Sequence, residues 1–437
     1  MFSRIVECMG IYRFPGDTVT AHQPMFALIA LAFSALVPVT RAGGEWPQFR
    51  GPTGQGTAGV QGLPRTWSET ENIVWQTKLP GLGHSSPVVA GNRVWLTSAT
   101  DKGRSRHVVC VDLATGKTVR DMVLFTCETP EPCHALNSFA TPTPVLEKNR
   151  VYVTFGKVGT ACLSAETGET LWERRDLPVR YYDVGVASSP ILYRDALILT
   201  CDGQADDQRF VMALDKQTGK TLWRTDRTFP NNIIPRMTHS SCVPLVISVN
   251  GKDQLISPGG QGVRAYDPLS GAELWCVRYE GWSVVPRPVF ANGLVYVCSG
   301  TVKPVLLCIR PSGAAGDATS SAVVWQTRKN VPDMPSPLLI GNRLYTMTAT
   351  RLSCLEADTG TVRWSSGIPG QHMASPVAAD GHIYLFNTTG GGAVVALGDT
   401  FNLVATNKLT EGCMASPAVA GNSLVVRTRT RLYRIGK

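Results

Sequence analysis

The chain has 437 residues, of which 17% are charged and 43% hydrophobic, with 42 Gly and 29 Pro. That balance excludes a disordered chain, a coiled coil and a multispan membrane protein, and the Gly and Pro load favours many short strands over long helices. The formal charge of +9 falls to +8 without residues 1–42, where three arginines face two carboxylates; spread over the rest of the chain, it gives no ground for nucleic-acid binding.

In chain order, the first element is an uncharged apolar run of 13 residues at 25–37. It is too short to cross a bilayer comfortably, and Thr40-Arg41-Ala42 then places small residues at −3 and −1 of a cleavage site. Residues 1–42 are therefore expected to be a secretory signal, with Met25 an alternative start, and the mature protein to be periplasmic or extracellular with no transmembrane segment. No Cys directly follows the run to carry a lipid anchor. Residues 43–71 form a lead segment. Asn72-Ile-Val-Trp75-Gln-Thr-Lys reads as a strand with nothing before it to pair with.

From there one pattern recurs eight times. A pair ending in Pro opens a hydrophobic strand: Ser86-Pro87, Thr143-Pro144, Ser189-Pro190, Val243-Pro244, Arg287-Pro288, Ser336-Pro337, Ser375-Pro376 and Ser416-Pro417, at intervals of 39 to 57 residues. A Gly/Asn/Asp turn and a second strand follow, such as Val94-Trp-Leu, Val151-Tyr-Val or Ile383-Tyr-Leu. The third strand ends in a tight turn with Gly116, Gly168, Gly219, Gly271 or Gly360, where Gly supplies positive φ. Four residues beyond that Gly stands Trp172, Trp223, Trp275 or Trp364, with Trp325 equivalent in a copy with a longer loop. Four short strands cannot bury both faces alone; stacked radially, each sheet covers its neighbours. The last copy stops after Arg431-Leu-Tyr-Arg-Ile435 without a Trp strand, so the spare strand around Trp75 fits the gap and closes the ring. The expected fold is all-β, an eight-bladed β-propeller of four-stranded antiparallel blades over 72–437, or seven blades should the copy around Val243 be misread. Arg427, Arg429 and Arg431 alternate, which would set them on the solvated side of one edge strand.

Repeats such as Ala-Thr-Gly-Lys117, Ser85-Ser-Pro87 and Gly91-Asn-Arg-Val-Trp95 resemble the pyrroloquinoline-quinone-type propeller repeat, across residues 72–437. The resemblance implies the fold and leaves function open between quinoprotein alcohol dehydrogenases and ligand-free propellers like the assembly factor BamB. Glu45-Trp-Pro-Gln-Phe-Arg-Gly-Pro52 resembles the lead-in of exported members of the second kind. The dehydrogenases of the superfamily clamp the quinone with a disulfide of adjacent Cys, hold Ca²⁺ with carboxylate and amide oxygens, and use an Asp base. This chain has no adjacent Cys pair, so no residue of that catalytic set carries over. Nor does it contain a Walker loop, a G-x-S-x-G elbow or an H-E-x-x-H run.

Eleven Cys follow Cys8, with no C-x-x-C among them. Cys127 and Cys133 flank Glu-Thr-Pro-Glu-Pro in a loop and are the candidates for a disulfide under oxidising conditions. Cys298 and Cys308 lie on consecutive strands, as a pair or as two buried thiols. Cys110, Cys162, Cys308 and Cys354 occupy one repeat position where other copies have Ala213, Ala265 and Ala396, which reads as a small buried residue.

Residues just before each opening Pro should line the channel mouth. Three before it stand His84, Thr141, Ala187, Val285, Met334, Met373 and Met414, with His372 adjacent and His239 nearby in the fourth copy. Thioethers and imidazoles converging in this way are Cu(I) ligands; equally, methionines fill apolar constrictions. Long loops at 125–137, 176–183 and 227–239 share that rim and carry Arg180, Tyr181, Tyr182, Phe229 and Arg236, with Trp282 beside them, the residue types of a protein contact. The sequence thus predicts an exported, monomeric, non-enzymatic scaffold. It binds another protein or a cell-envelope component, with no nucleic acid and no cofactor. The alternative is an oxidoreductase using pyrroloquinoline quinone with Ca²⁺, or a metal, at the channel mouth.

Overall fold

A computed structural model describes residues 44–437 except 178, 182, 204 and 230–232; the expected signal at 1–42 lies outside them. The described residues form eight sheets, each a blade. The blades open with Val88–Ala90, Val145–Glu147, Ile191–Tyr193, Leu245–Val249, Val289–Ala291, Leu338–Ile340, Val377–Ala379 and Ala418–Ala420. The copy around Val243 is therefore a true blade. Within each, successive strands pair antiparallel, and sequence pattern tracks depth. The second strand of blade 1, Arg93–Thr100, is buried along nearly its whole length, whereas the outermost strand of the last blade, Ile73–Lys78, alternates between half-buried and exposed. Continuous apolar runs belong to strands covered on both faces, alternation to strands covered on one.

The ring closes as expected. Ile73–Lys78 pairs antiparallel with Arg431–Ile435, Trp75 opposite Arg434 and Thr77 opposite Leu432, and becomes the fourth strand of blade 8. Two short additions extend other blades: Thr57–Ala58 from the lead segment runs parallel to Val377–Ala379, and Gly316–Asp317 runs parallel to Glu273–Arg278.

The Trp of one blade docks on the turn of the next. Trp172 donates its indole N–H to Lys216 O at 3.0 Å, Trp223 to Pro268 O at 3.2 Å, Trp325 to Ala357 O at 3.0 Å and Trp364 to Gly398 O at 3.0 Å. Trp75 does the same across the closure, reaching Leu113 O at 2.8 Å. The ring then lies on the turn glycine. Gly116 has φ +73°, and a Cβ there would stand 2.6 Å from the Trp75 ring, so Gly serves both the turn and the neighbour. Asp112 holds this turn by accepting from Thr115 N and Oγ1, both at 2.9 Å. Trp275 departs from the pattern and donates within its own blade, to Gln254 Oε1 at 2.8 Å.

The Cys/Ala position has a packing reason. Cys162, Cys308 and Cys354 sit between Tyr152 and Trp172, Tyr296 and Trp325, and Tyr345 and Trp364 on the flanking strands, pairs whose rings approach to 6.2, 6.0 and 6.0 Å. A larger side chain would part the rings. In blade 7 the register gives this place to Val394, not Ala396. Cys298 and Cys308 are both buried free thiols, Cys298 opposite Leu306 and Cys308 opposite Tyr296. That diagonal spacing is wider than a disulfide accepts.

The arginine stretch is not one edge strand. Arg427 ends Ser423–Arg427 and Arg431 begins the next strand, because Glu411 captures the intervening turn through Thr428 Oγ1 at 2.9 Å and Thr430 N at 2.8 Å. Arg427 is fully buried and donates to Thr97 O at 2.7 Å and Ser85 Oγ at 2.8 Å.

Candidate functional site

The hub of the ring is built in layers. One residue before each opening Pro, hydroxyls tie neighbouring blades together. Ser86 N donates to Thr143 Oγ1 (3.0 Å), Thr143 N to Ser189 Oγ (2.9 Å), Arg287 N to Ser336 Oγ (3.0 Å), Ser336 N to Ser375 Oγ (2.9 Å), Ser375 N to Ser416 Oγ (2.9 Å) and Ser416 N to Ser86 Oγ (3.1 Å). The belt breaks at blades 4 and 5, where Val243 and Arg287 have no hydroxyl.

Beneath the belt, the lead segment crosses the hub. Trp46 exchanges backbone hydrogen bonds of 2.8 Å with Val89 of blade 1, and Leu146 N of blade 2 donates to Pro47 O at 2.8 Å. Arg287 of blade 5 donates to Phe49 O at 2.7 Å, and Phe290 N to Gln55 Oε1 at 2.7 Å. Arg50, 1% exposed, spreads its guanidinium over carbonyls of blades 6 and 7: Pro337 O at 2.5 Å, Pro376 O at 3.3 Å and Ser336 O at 3.5 Å. Burial, with Arg287 nearby, lowers its pKa to about 9. Because these contacts run from the residue before the opening Pro onward, the segment lies deeper than the mouth, whose residues stand three before it. It makes a floor.

The result is a cavity of about 560 Å³, with Phe49 of the lead segment among its walls. The position three before the opening Pro lines it in all eight blades: His84, Thr141, Ala187, Ser241, Val285, Met334, Met373 and Met414. His239 lines it too. Its Nε2 lies 3.3 Å from Ser241 Oγ and its Nδ1 3.4 Å from Asp202 O, and burial lowers its pKa to about 4. Burial, then Arg427 and Arg429, brings His84 to about 4 as well. His372 is not brought to the cavity. It is 1% exposed and turns its Nδ1 to Ala349 O at 3.3 Å, because successive residues of an extended segment point oppositely.

The rim residues divide. Arg236 and Trp282 line the cavity, and Arg236 bonds Asp183 at 3.0 Å. Tyr181 is 5% exposed and packs with Leu177, Val179 and Cys201 in a core cluster, so it is a structural anchor and not a contact residue. The loop needs its own apolar residues to hold its shape. Phe229, half-buried, lies under the guanidinium of Arg264 at 4.9 Å. Arg180 is exposed on the rim and pairs with Glu131 at 3.3 Å; Tyr182 falls outside the described residues. Cys127 and Cys133 stand as half-buried free thiols near Arg106, with Cys133 Sγ packed toward Gly185 of the next loop.

Sequence reasoning missed several lining residues. Phe49 arrives from the lead segment, and Asp333, Gln371 and Asn137 come from interblade loops. The only advance signal for the last three was their nearness to an opening Pro. A broader basin of about 1060 Å³ adjoins the cavity, sharing His84, His134, Leu136, Asn137, Gln371 and Met414, and adds the exposed Leu82. Among the described residues no group of three His, Cys, Asp or Glu is placed to hold a metal, and no helix is long and apolar enough to cross a membrane.

Comparison with known proteins gives likenesses over part of the chain. The family model described as outer membrane protein assembly factor BamB matches residues 66–174 and 314–400. The chain is an eight-bladed propeller, similar to BamB in those two stretches, which together make up under half of its length. A curated BamB of Francisella salina is 26% identical over 114 residues, 26% of this chain and 18% of that protein, so the match spans under a fifth of the relative. Among solved structures, a europium-containing methanol dehydrogenase aligns with TM-score 0.67 at 11% identity, covering 88% of this chain and 89% of that one. BamB from Moraxella catarrhalis aligns with TM-score 0.57 at 12% identity, covering 84% and 99%. At such identities the structural likenesses speak to the fold alone.

Proposed function

We propose that this protein is an exported, non-enzymatic propeller, periplasmic or extracellular and monomeric, that receives a segment of another protein or of a cell-envelope component in its hub. The observation that carries the reading is the cup itself: floored by the lead segment, open at the loop rim, and walled by three flexible thioethers beside Trp282 and Arg236. Methionine surfaces adapt to varied apolar guests, and Trp and Arg are the residues that anchor protein contacts. The BamB-like repeats support a protein partner.

The lining does not suit the quinone–calcium group of the dehydrogenases. Among the described residues its one carboxylate is Asp333, whereas Ca²⁺ takes six to eight oxygens from carboxylates, carbonyls and waters. Titration with pyrroloquinoline quinone and Ca²⁺ is expected to give no bound quinone absorbance and no dye reduction; either signal would favour the oxidoreductase reading. The binding reading is tested by a photo-crosslinking residue at position 282, compared with one at Leu269, an exposed residue in the turn at the floor end of blade 4. Adducts in the native cell envelope are expected at 282 alone. Equal labelling at both positions, or none at 282, would refute it. Export is tested by the N-terminus of the mature protein, expected at Gly43, and by loss of two hydrogens in the peptide joining Cys127 and Cys133.

A further inference from the structure

We propose that Met334, Met373, Met414 and His84 form a binding site for a soft monovalent cation, Cu(I). The four stand at one register position, three before the opening Pro, on blades 6, 7, 8 and 1, which are consecutive across the ring closure, and all four line the cavity. The belt two residues further on fixes their spacing: Ser336 N to Ser375 Oγ, Ser375 N to Ser416 Oγ and Ser416 N to Ser86 Oγ are bonds of 2.9, 2.9 and 3.1 Å. Neighbouring donors are thus carried on segments tied to one another through a serine hydroxyl, all on one side of the hub. The other four blades present Thr141, Ala187, Ser241 and Val285 at this height, with no soft donor.

The donor chemistry selects the ion. Three thioethers and one imidazole make a neutral set that suits Cu(I), while harder dications want carboxylate or several imidazoles. The His84 ring lines the cavity and has no hydrogen-bond partner among the described residues, which leaves an imidazole nitrogen to face the ion. Arg427 and Arg429, whose charges reach His84, disfavour a doubly charged ion more than a singly charged one. Cys413, beside Met414, does not compete: it is buried in the core, away from the cavity lining. The site binds the ion as it is, with no change of oxidation state.

The test uses the full-length mature chain, titrated anaerobically with Cu(I) against a chromophoric chelator, and ¹³C-methyl-methionine spectra recorded with Ag(I) as a redox-inert probe. One equivalent is expected to bind, and the methyls of Met334, Met373 and Met414 are expected to shift while those of Met122, Met212, Met237 and Met347 stay. The triple variant Met334→Leu, Met373→Leu, Met414→Leu keeps the apolar volume and so the fold. Outer-sphere partners alone are worth about 10–100-fold in metal affinity, so losing three ligands is expected to weaken binding by more than about 100-fold. The variant Cys127→Ser, Cys133→Ser is expected to bind as the native chain does. The proposal falls if the triple variant loses less than about tenfold, if the cysteine variant abolishes binding, or if other methionines shift instead. None of these outcomes bears on whether a protein segment enters the cup.

Discussion

The joint between blades 8 and 1 allows a quantitative test through Gly116→Ala. Gly116 has φ +73°, and a Cβ there would come within 2.6 Å of the Trp75 ring, whose indole N–H is held by Leu113 O at 2.8 Å and has no room to withdraw. Gly251 offers a matched control: φ +76°, with nothing within 4 Å of an added Cβ. Alanine in the left-handed region costs about 1–2 kcal/mol, so Gly251→Ala should lose that much. Forcing a methyl into a filled contact adds about 1–3 kcal/mol, which puts Gly116→Ala at about 2–5 kcal/mol in total. Urea unfolding followed by far-ultraviolet circular dichroism measures both, with Trp75→Ala completing a double-mutant cycle. In the Trp75→Ala background the loss at Gly116 should shrink to that at Gly251, a coupling of about 1–3 kcal/mol. Equal losses at the two glycines in the native background, or no coupling, would refute the account of the Trp–Gly joint.

His239, 4% exposed with its pKa lowered from 6.5 to about 4, is held neutral by the fold. The unfolded chain therefore binds its proton first as pH falls, and stability present above pH 6.5 is lost between 6.5 and about 4, by about 3 kcal/mol. His239→Gln should flatten that part of the stability–pH curve, and an unchanged slope would contradict the burial argument. Arg50→Met should leave carbonyls of blades 6 and 7 without their donor, at about 2–4 kcal/mol, and make Trp46 and Phe49 chymotrypsin-sensitive while the blades resist; continued protection would show that Arg50 does not pin the lead segment. At the rim, Trp282→Ala should weaken partner binding by about tenfold or more, whereas the buried Tyr181→Phe should leave it unchanged in a pull-down titration.

Strands and closure were legible because their signals are local and repeated: a Pro at each opening, a Gly turn, a Trp at fixed offset, and a missing strand at one end matched by a spare at the other. The height of the hub residues was legible for the same reason, which is how Met334, Met373, Met414 and His84 were placed together. What escaped was set by partners distant in sequence. Arg50 looks like any lead-segment cation until four carbonyls from its own segment and two blades enclose it. Tyr181 looks like a rim aromatic until Leu177 and Val179 fold it inward. His372 shares its neighbourhood with Met373 in sequence, yet the alternation of an extended chain sends them to opposite sides. Arg427 continued an alternating run that a carboxylate from the preceding loop, Glu411, bends into a turn.

With Trp46, Phe49 and Arg50 laid across its base, the hub is a blind vessel instead of a tunnel. On the proposed binding reading, a guest would enter and leave on the side of Trp282 and Arg236, away from the lead segment.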